Sequence, residues 1–294
     1  QKRVIRITYS GANVESPKYY YSLDGSTWTQ VTTTTKDIEF TSNGYLYAKT
    51  TDPKGNVASA ATFTVTNIDT TAPSASIVVD TVKTDRTTVT ATCSDAESGI
   101  AKYEFSKDGG STWTANGTTS SYTFTGLKQG TSYTFGIRCT NGSGMTTTKT
   151  GAKSTASITN PTIAYENTPA TAVNGYLKKQ ILKVTYNNTN IQSPTYYVKT
   201  TRAGVSSLAV TQSCGTDTNP SNCSTITSTT SLAANTWYKV SGNVNVTYDT
   251  YATSEGTLYA ITYDGTNFSG AATKTISKIT KDVTYIVKHY QMRI

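Results

Sequence analysis

The chain has 294 residues, a formal net charge of +8 and only 15% charged residues, against about 25% in an ordinary soluble domain. Its one histidine, His289, lies near the C-terminal end, which excludes a Ser-His-Asp triad, a Cys-His pair or a histidine metal site in the body of the chain. Six Glu and two Met, set against 21 Tyr and a Thr content of about a fifth, disfavour helices and favour strands, and the aromatic content argues against disorder.

Taken in order, the elements repeat. A strand running into a turn, Arg6-Ile-Thr-Tyr-Ser-Gly-Ala-Asn-Val-Glu-Ser-Pro17, returns as Leu182-Lys-Val-Thr-Tyr-Asn-Asn-Thr-Asn-Ile-Gln-Ser-Pro194, with a looser middle copy over 88–99. A Tyr-rich strand follows each time: Lys18-Tyr-Tyr-Tyr21, Lys102-Tyr-Glu-Phe105 and Thr195-Tyr-Tyr-Val198. A third anchor begins at Tyr45, Tyr133 and Leu258, and each of its copies leads into a Thr/Ala-rich strand at 60–66, 145–150 and 271–276. Short alternating strands with Gly, Asn and Asp turns in modules of this size predict an all-β chain of three tandem immunoglobulin-like β-sandwich modules. The Pro-bearing stretches Asp69-Thr-Thr-Ala-Pro73 and 153–161 mark the boundaries, because proline ends a sheet ladder. The modules are therefore 1–68, which lacks a visible first strand of its own, 69–159, and 160–280 with an insertion; 281–294 opens a further alternating strand. Both ends read as cuts through a longer repeat array, and a start at Gln1 rather than Met reads as a mature or excised piece.

The segment Gly126-Leu-Lys-Gln-Gly-Thr-Ser-Tyr133, with Tyr133, Phe135, Ile137 and Cys139 alternating inward, resembles the turn into strand F of fibronectin type III and bacterial immunoglobulin-like domains. The resemblance implies that the Tyr133 hydroxyl ties the sandwich corner. It also departs from the family, because Val89, Ala91 and Cys93 stand where an inward Trp is usual on strand B. Asp69-Thr-Thr-Ala-Pro73 resembles the junction common in bacterial surface repeats, and 283–290 is similar to the opening strand of a β-grasp repeat of Gram-positive surface proteins. On strands equivalent to B and F, Cys93 and Cys139 face each other and are expected to form a disulfide. Cys214 and Cys223, which bracket a polar loop, are expected to form a second.

Ser106-Lys-Asp-Gly-Gly-Ser-Thr-Trp113 resembles the Asp-box of sialidase propellers, and Ser22-Leu-Asp-Gly-Ser-Thr-Trp28 is one residue shorter. Two copies 84–85 residues apart do not make propeller blades, so the motif predicts a tight hairpin held by its Asp. Asp95, Glu97 and Asp108 are the candidate calcium ligands, against the alternative of a solvated turn in which Asp95 bonds its own backbone. Anchor to anchor, the third copy spans 63 residues (Tyr196 to Tyr259), against 28 and 32 in the others, so its extra loop is where recognition is expected. Trp237 and Tyr238 in that stretch are the candidate binding residues.

The 20 Lys and 6 Arg are scattered, with Lys178, Lys179 and Lys183 the closest cluster, so no nucleic-acid partner is expected. No apolar run approaches the roughly 18 residues of a spanning helix, so no membrane insertion of this segment is expected either. No catalytic residue, cofactor or firm metal site is assigned. The reading is a non-catalytic extracellular stalk or adhesion segment of a bacterial surface protein, attached to the cell, whose partners are neighbouring repeats and a host or cell-surface glycan or protein. Accessory modules of a secreted glycan-active enzyme, and a virion or filament component, are the alternatives.

Overall fold

The computed structural model describes residues 2–166, 180–203, 205–220, 222–248 and 256–276. The sequence readings at 281–294, including His289, and at Lys178 and Lys179 lie outside the described residues. Every regular element described is a β-strand, as the β-branched and tyrosine-rich composition requires. The chain consists of tandem β-sandwich modules.

In the first sandwich the strands are β1 (Arg3–Thr8), β2 (Lys18–Ser22), β3 (Thr29–Val31), β4 (Thr35–Phe40), β5 (Gly44–Thr51) and β6 (Ala61–Val65). β1 and β4 form a two-stranded antiparallel sheet, while β3-β2-β5-β6 form the other. Alternation sends Ile38, Phe40, Leu46 and Val65 into a core with Ile68, joined by Ile5, Ile7 and Tyr21. Tyr9, Tyr19 and Val31 make a second cluster beside it.

The middle sandwich is built from β7 (Ser74–Val79), β8 (Thr87–Ser94), β9 (Ile100–Ser106), β10 (Thr114–Ala115), β11 (Ser121–Phe124), β12 (Ser132–Asn141) and β13 (Thr146–Ser154). Its sheets have the orders β11-β8-β7 and β10-β9-β12-β13. Val89, Ala91, Phe105, Phe124, Phe135 and Ile137 are buried. The Tyr133 hydroxyl accepts the Lys128 amide at 2.9 Å and so closes the corner before β12. Cys93 on β8 is joined to Cys139 on β12 across the two sheets, with Cα atoms 6.5 Å apart.

The third sandwich comprises β14 (Thr162–Tyr165), β15 (Gln180–Thr185), β16 (Thr195–Thr200), β17 (Val205–Ser213), β18 (Ser224–Leu232), β19 (Trp237–Val240), β20 (Val244–Tyr248), β21 (Gly256–Tyr263) and β22 (Ala272–Ile276). All nine belong to one sheet, β14-β15-β20-β17-β19-β16-β21-β22, with β18 pairing β17. β17 makes this continuity: Ser206 pairs with Thr247 of β20, and Ser213 pairs with Tyr238 of β19. A disulfide joins Cys214 to Cys223 at the tip of the β17–β18 hairpin.

The chain divides into two compact units. One holds Gln1–Val78, Thr90–Tyr122 and Phe135–Gly151; the other holds Val79–Val89, Thr123–Thr134 and the residues from Ala152 on. Each unit contains one inter-module linker, and each linker is hydrogen-bonded. In the first unit, Ile68 donates its amide to Asn43 Oδ1 (2.8 Å). Asp69 is buried there, accepting from the Thr71 amide (3.0 Å), Asn141 Nδ2 (2.8 Å) and the Ser98 hydroxyl. Asn141 Nδ2 also lies 3.0 Å from the Thr71 carbonyl and 3.1 Å from Asp95 Oδ2. In the second unit, Gln129 donates through Nε2 to the Phe268 carbonyl (2.6 Å) and accepts the Ile158 amide at Oε1 (2.7 Å). Asn267 Nδ2 donates to the Leu127 carbonyl at 3.0 Å.

Cys93 and Cys139 are 46 residues apart, so the bond between them restricts a long unfolded loop. Replacing both by Ala is expected to lower the unfolding free energy by about 4 kcal/mol, read by chemical denaturation. Removing the shorter Cys214–Cys223 loop should cost about 2.5 kcal/mol. A loss below about 1 kcal/mol for the long loop would show that the core holds the two sheets together unaided.

Candidate functional site

The most elaborated local structure is the connection that follows the Tyr-rich strand. In the first sandwich, Ser22 Oγ donates to Asp24 Oδ1 (2.8 Å) and accepts the Gly25 amide (2.9 Å). Asp24 Oδ1 takes the amides of Ser26 (2.8 Å) and Thr27 (2.7 Å). The middle sandwich repeats this: Ser106 Oγ donates to Asp108 Oδ1 (2.7 Å), and Asp108 accepts the Thr112 amide (2.9 Å) and hydroxyl (2.5 Å). Gly25 and Gly110 sit at φ of 76° and 96°, where a side chain would be strained. These donors stabilise the ionised carboxyls. Asp24 is held far below the usual carboxylate range, first by the Thr27 and Ser26 amides, and Asp108 likewise by Thr112. The Asp-box resemblance is thus a turn clamp.

Each clamp delivers a Trp, Trp28 or Trp113, to the start of the short strand that follows. In the third sandwich, Trp237 occupies the same register, opposite Lys199 of β16. The clamp is replaced there by the whole β17–β18 hairpin, which is the extra length seen in the sequence. All three rings carry a cation. Lys49 Nζ is 3.9 Å from the Trp28 centroid, Arg138 Cζ is 4.6 Å from that of Trp113, and Lys199 Nζ is 4.6 Å from that of Trp237.

What surrounds the ring differs in the three copies. In the middle sandwich, Arg138 makes two 2.8 Å hydrogen bonds to Glu104, and Lys102 lies 3.3 Å from the same carboxylate. The Arg138 hydrogen bonds hold the Glu104 carboxyl below its ordinary range. In the third sandwich, Trp237 is 1% exposed within a cluster with Tyr197, Cys214 and Ile261, packed by Tyr259, Tyr263 and Phe268. Its Nε1 donates to the Asp217 carbonyl at 2.9 Å, so the disulfide loop lies over the ring. Burial there pushes the Lys199 ammonium down. In the first sandwich the face is open: Tyr45 is 52% exposed, its ring 6.2 Å from that of Tyr47, while Trp28, Tyr20 and Tyr47 are half-buried.

One sequence expectation is corrected, and of the two readings of Asp95 the turn that bonds its own backbone is the one found. Trp237 and Tyr238 are both buried, at 1% and 5% exposure, and offer no contact surface. β19 lies inside the sheet between β17 and β16, so one ring fills the outer cluster and the other the inner core, where Tyr238 takes the Ala233 amide at 3.0 Å. Asp95, Glu97 and Asp108 do not converge. Asp95 and Glu97 precede β9 and Asp108 follows it, which separates them by roughly 20 Å of strand. Asp95 caps its own turn through the Glu97 (3.1 Å) and Ser98 (2.8 Å) amides, and Glu97 accepts the Thr71 hydroxyl at 2.6 Å. No group of three His, Cys, Asp or Glu side chains placed to hold a metal ion occurs among the described residues. The open face of the first sandwich was missed by sequence reasoning. Its signal was present in the alternation of Tyr45 with Tyr47, and in Tyr20 standing where the middle copy has Glu104.

No family model matches the chain, and no curated protein matches it. Among solved structures it is similar to the chitinase ChiA74 from Bacillus thuringiensis, at 15% identity over 68% of this chain and 28% of that one, with a TM-score of 0.24. It is similar to the central fibronectin-III array of RIM-binding protein, at 11% identity over 88% and 87%, TM-score 0.25. A third likeness is to carbohydrate-binding modules of the β-sandwich superfamily, at 14% identity over 70% and 99%, TM-score 0.27. The chain thus spans 28% of the length of the chitinase. These likenesses assign no ligand or activity to it.

Asp24, Asp69, Asp95 and Asp108 all have folded-state pKa values below their ordinary ones. The stability they add is therefore complete above the ordinary Asp value of about 4 and is lost as pH falls through the lower folded values. The thermal midpoint is expected to stay level from pH 7 to pH 5 and to drop towards pH 2. An Asp24→Asn, Asp108→Asn double variant should begin lower at pH 7 and lose less on acidification. Equal acid losses in both proteins would show that the clamps are not the titrating groups.

Proposed function

We propose that the chain is a non-catalytic extracellular segment of a bacterial surface protein, serving as a stalk with an adhesive role. Its three sandwich modules are taken as 1–68, 69–159 and 160–280. The observation that carries this reading is the bonding of both linkers. Asp69 is buried and accepts from Asn141, Ser98 and Thr71. Gln129 of the middle sandwich accepts the Ile158 amide of the second linker and donates to the Phe268 carbonyl of the third, whose Asn267 donates to the Leu127 carbonyl. A free linker leaves domains to move independently, whereas a linker whose backbone groups are satisfied by both neighbours transmits orientation and force. The two disulfides support an oxidising compartment and hence export. A second reading is an accessory segment of a secreted glycan-active enzyme, favoured by the open aromatic face of the first sandwich. A wall-sorting signal downstream in the gene supports the stalk, and a catalytic domain supports the accessory segment.

Limited proteolysis tests the stalk reading. The native chain is expected to resist cleavage between Asn67 and Pro73, and Asn141→Ala, which removes the Asp69 partner, to speed cleavage there about tenfold or more. Rapid cleavage of the native chain at that linker would show a hinge and sink the stalk.

A further inference from the structure

We propose that the outer face of the β3-β2-β5-β6 sheet binds an anionic polysaccharide, with aromatic rings against the sugar faces and Lys49 at its acid groups. The inference deepens the surface-segment reading by naming the chemistry of its partner, and it rests on that reading.

Register defines the face. Gln30, Tyr20 and Lys49 lie in one row across β3, β2 and β5, because Tyr20 pairs with both of the others. Ser22, Tyr47 and Thr62 form the next row, and Tyr45 with Thr64 the one after. On the other side of the Tyr20 row lie Lys18 and Thr51, with Val57 bridged to Thr51, so the face is mainly aromatic, polar and cationic, with Val57 at its margin. Directly paired residues share a face, so the rings and Thr hydroxyls are presented together. Such a surface suits a hydroxyl-rich polymer whose rings have apolar C–H faces, whereas an acyl chain or an apolar protein patch calls for aliphatic contact.

The charge specifies the acid. Lys49 corresponds in register to Arg138 of the middle sandwich, since each pairs with the residue two before the clamp serine. Arg138 is neutralised there by Glu104. In the first sandwich that position is Tyr20, and among the described residues no carboxylate pairs with Lys49, whose ammonium lies 3.9 Å from the Trp28 ring and 5.8 Å from that of Tyr20. Asp24 is nearby in the clamp, but its carboxylate is taken by Ser22, Ser26 and Thr27. A neutral glycan would bury the Lys49 ammonium without a counter-charge, which is costly, while a uronate or similar acid would supply one.

The third sandwich shows what this face accepts when filled. There the equivalent ring, Trp237, is covered by a loop of the same chain, Cys214–Cys223, which is rich in hydroxyl and amide groups and accepts the indole N–H through the Asp217 carbonyl. A polar, acceptor-rich chain laid on a Trp–Lys pair is thus already realised once in this molecule. The first sandwich carries the equivalent Trp without such a cover, its cation being Lys49 of β5 rather than a residue at the place of Lys199.

Affinity electrophoresis of the whole chain in gels containing polygalacturonate, with uncharged hydroxyethyl cellulose in parallel, tests the proposal. The native protein should be retarded by polygalacturonate and not by the neutral polymer. Trp28→Ala and Tyr45→Ser, which leave the net charge unchanged, should each weaken retardation about tenfold, as should Lys49→Gln. Lys149→Gln, which removes the same charge from an exposed site on the middle sandwich, should leave it unaltered. Tyr45 is half exposed, so its variant keeps the test valid if Trp28→Ala fails to fold. Equal retardation of all variants would reduce the binding to the charge of a basic protein and overturn the proposal. Retardation by the neutral polymer alone, or capture by anionic lipid vesicles with polygalacturonate ignored, would overturn it as well. None of these failures alters the protease resistance of the linker, so the stalk reading stands or falls separately.

Discussion

A β-strand points successive side chains to opposite faces, so a four-stranded sheet that spends one face on a sandwich core must still dispose of the other. Each tandem module sets a Trp beside a cation there. The cation is Lys49 or Arg138, at equivalent positions, in the first two and Lys199 of the Tyr-rich strand in the third, where Ile261 takes the place of Lys49. The middle sandwich neutralises its cation by an ion network, Lys102–Glu104–Arg138, around Trp113. The third builds a second apolar cluster on the face and covers it with a hairpin loop. The first leaves Tyr45 exposed and Trp28, Tyr20 and Tyr47 half-buried, with no such cover. The first two copies share the clamp as well as the strands and differ in their outer residues, while the third has the β17–β18 hairpin in the clamp's place.

The clamp explains how so different a set of faces rests on similar strands. Ser22 and Ser106 are each 2% exposed, buried at the strand end where the chain reverses, and each orients an Asp whose oxygens satisfy the turn amides. The turn therefore needs no support from whatever lies outside it. Where the third copy lacks the Asp, the reversal is made by a long hairpin, and Thr200, one residue beyond the serine's position, accepts the Arg202 amide at 3.2 Å. Loss of the carboxylate and gain of the insertion are one structural change.

Much of this was legible in the sequence because it is local. Strand periodicity and the Ser-x-Asp turns follow from alternation and short spacing, while the Tyr133 corner and the Cys93–Cys139 pairing followed from the resemblance of their strands to strands B and F. The misreadings share one cause. Whether Trp237 and Tyr238 are exposed depends on β17 lying beside β19, a pairing between segments some 25 residues apart that periodicity does not encode. Asp108 was weighed with Asp95 and Glu97 as a calcium ligand, but the strand β9 between them carries it to the other end of the sandwich. The open face was passed over because its alternating tyrosines look like those of any half-buried strand until the opposite sheet is known.

The covered face of the third copy also shows why its disulfide sits where it does. The loop between Cys214 and Cys223 is Gly-Thr-Asp-Thr-Asn-Pro-Ser-Asn, with no apolar side chain larger than proline to hold it down. Its contact with the aromatic cluster includes hydrogen bonds from the Trp237 indole to the Asp217 carbonyl and from the Trp237 amide to the Gly215 carbonyl, and the burial of Cys214 and Pro220. A neutral hydrogen bond contributes about 1 kcal/mol, so a few of them do not exceed the entropy of ordering several loop residues. The covalent closure makes up that difference by limiting the loop before it docks. Without it the polar loop would tend to leave the rings, and the third sandwich would present the same kind of surface as the first. The difference between a filled face and an open one thus rests on a bond formed only in an oxidising environment, rather than on the sheet beneath it.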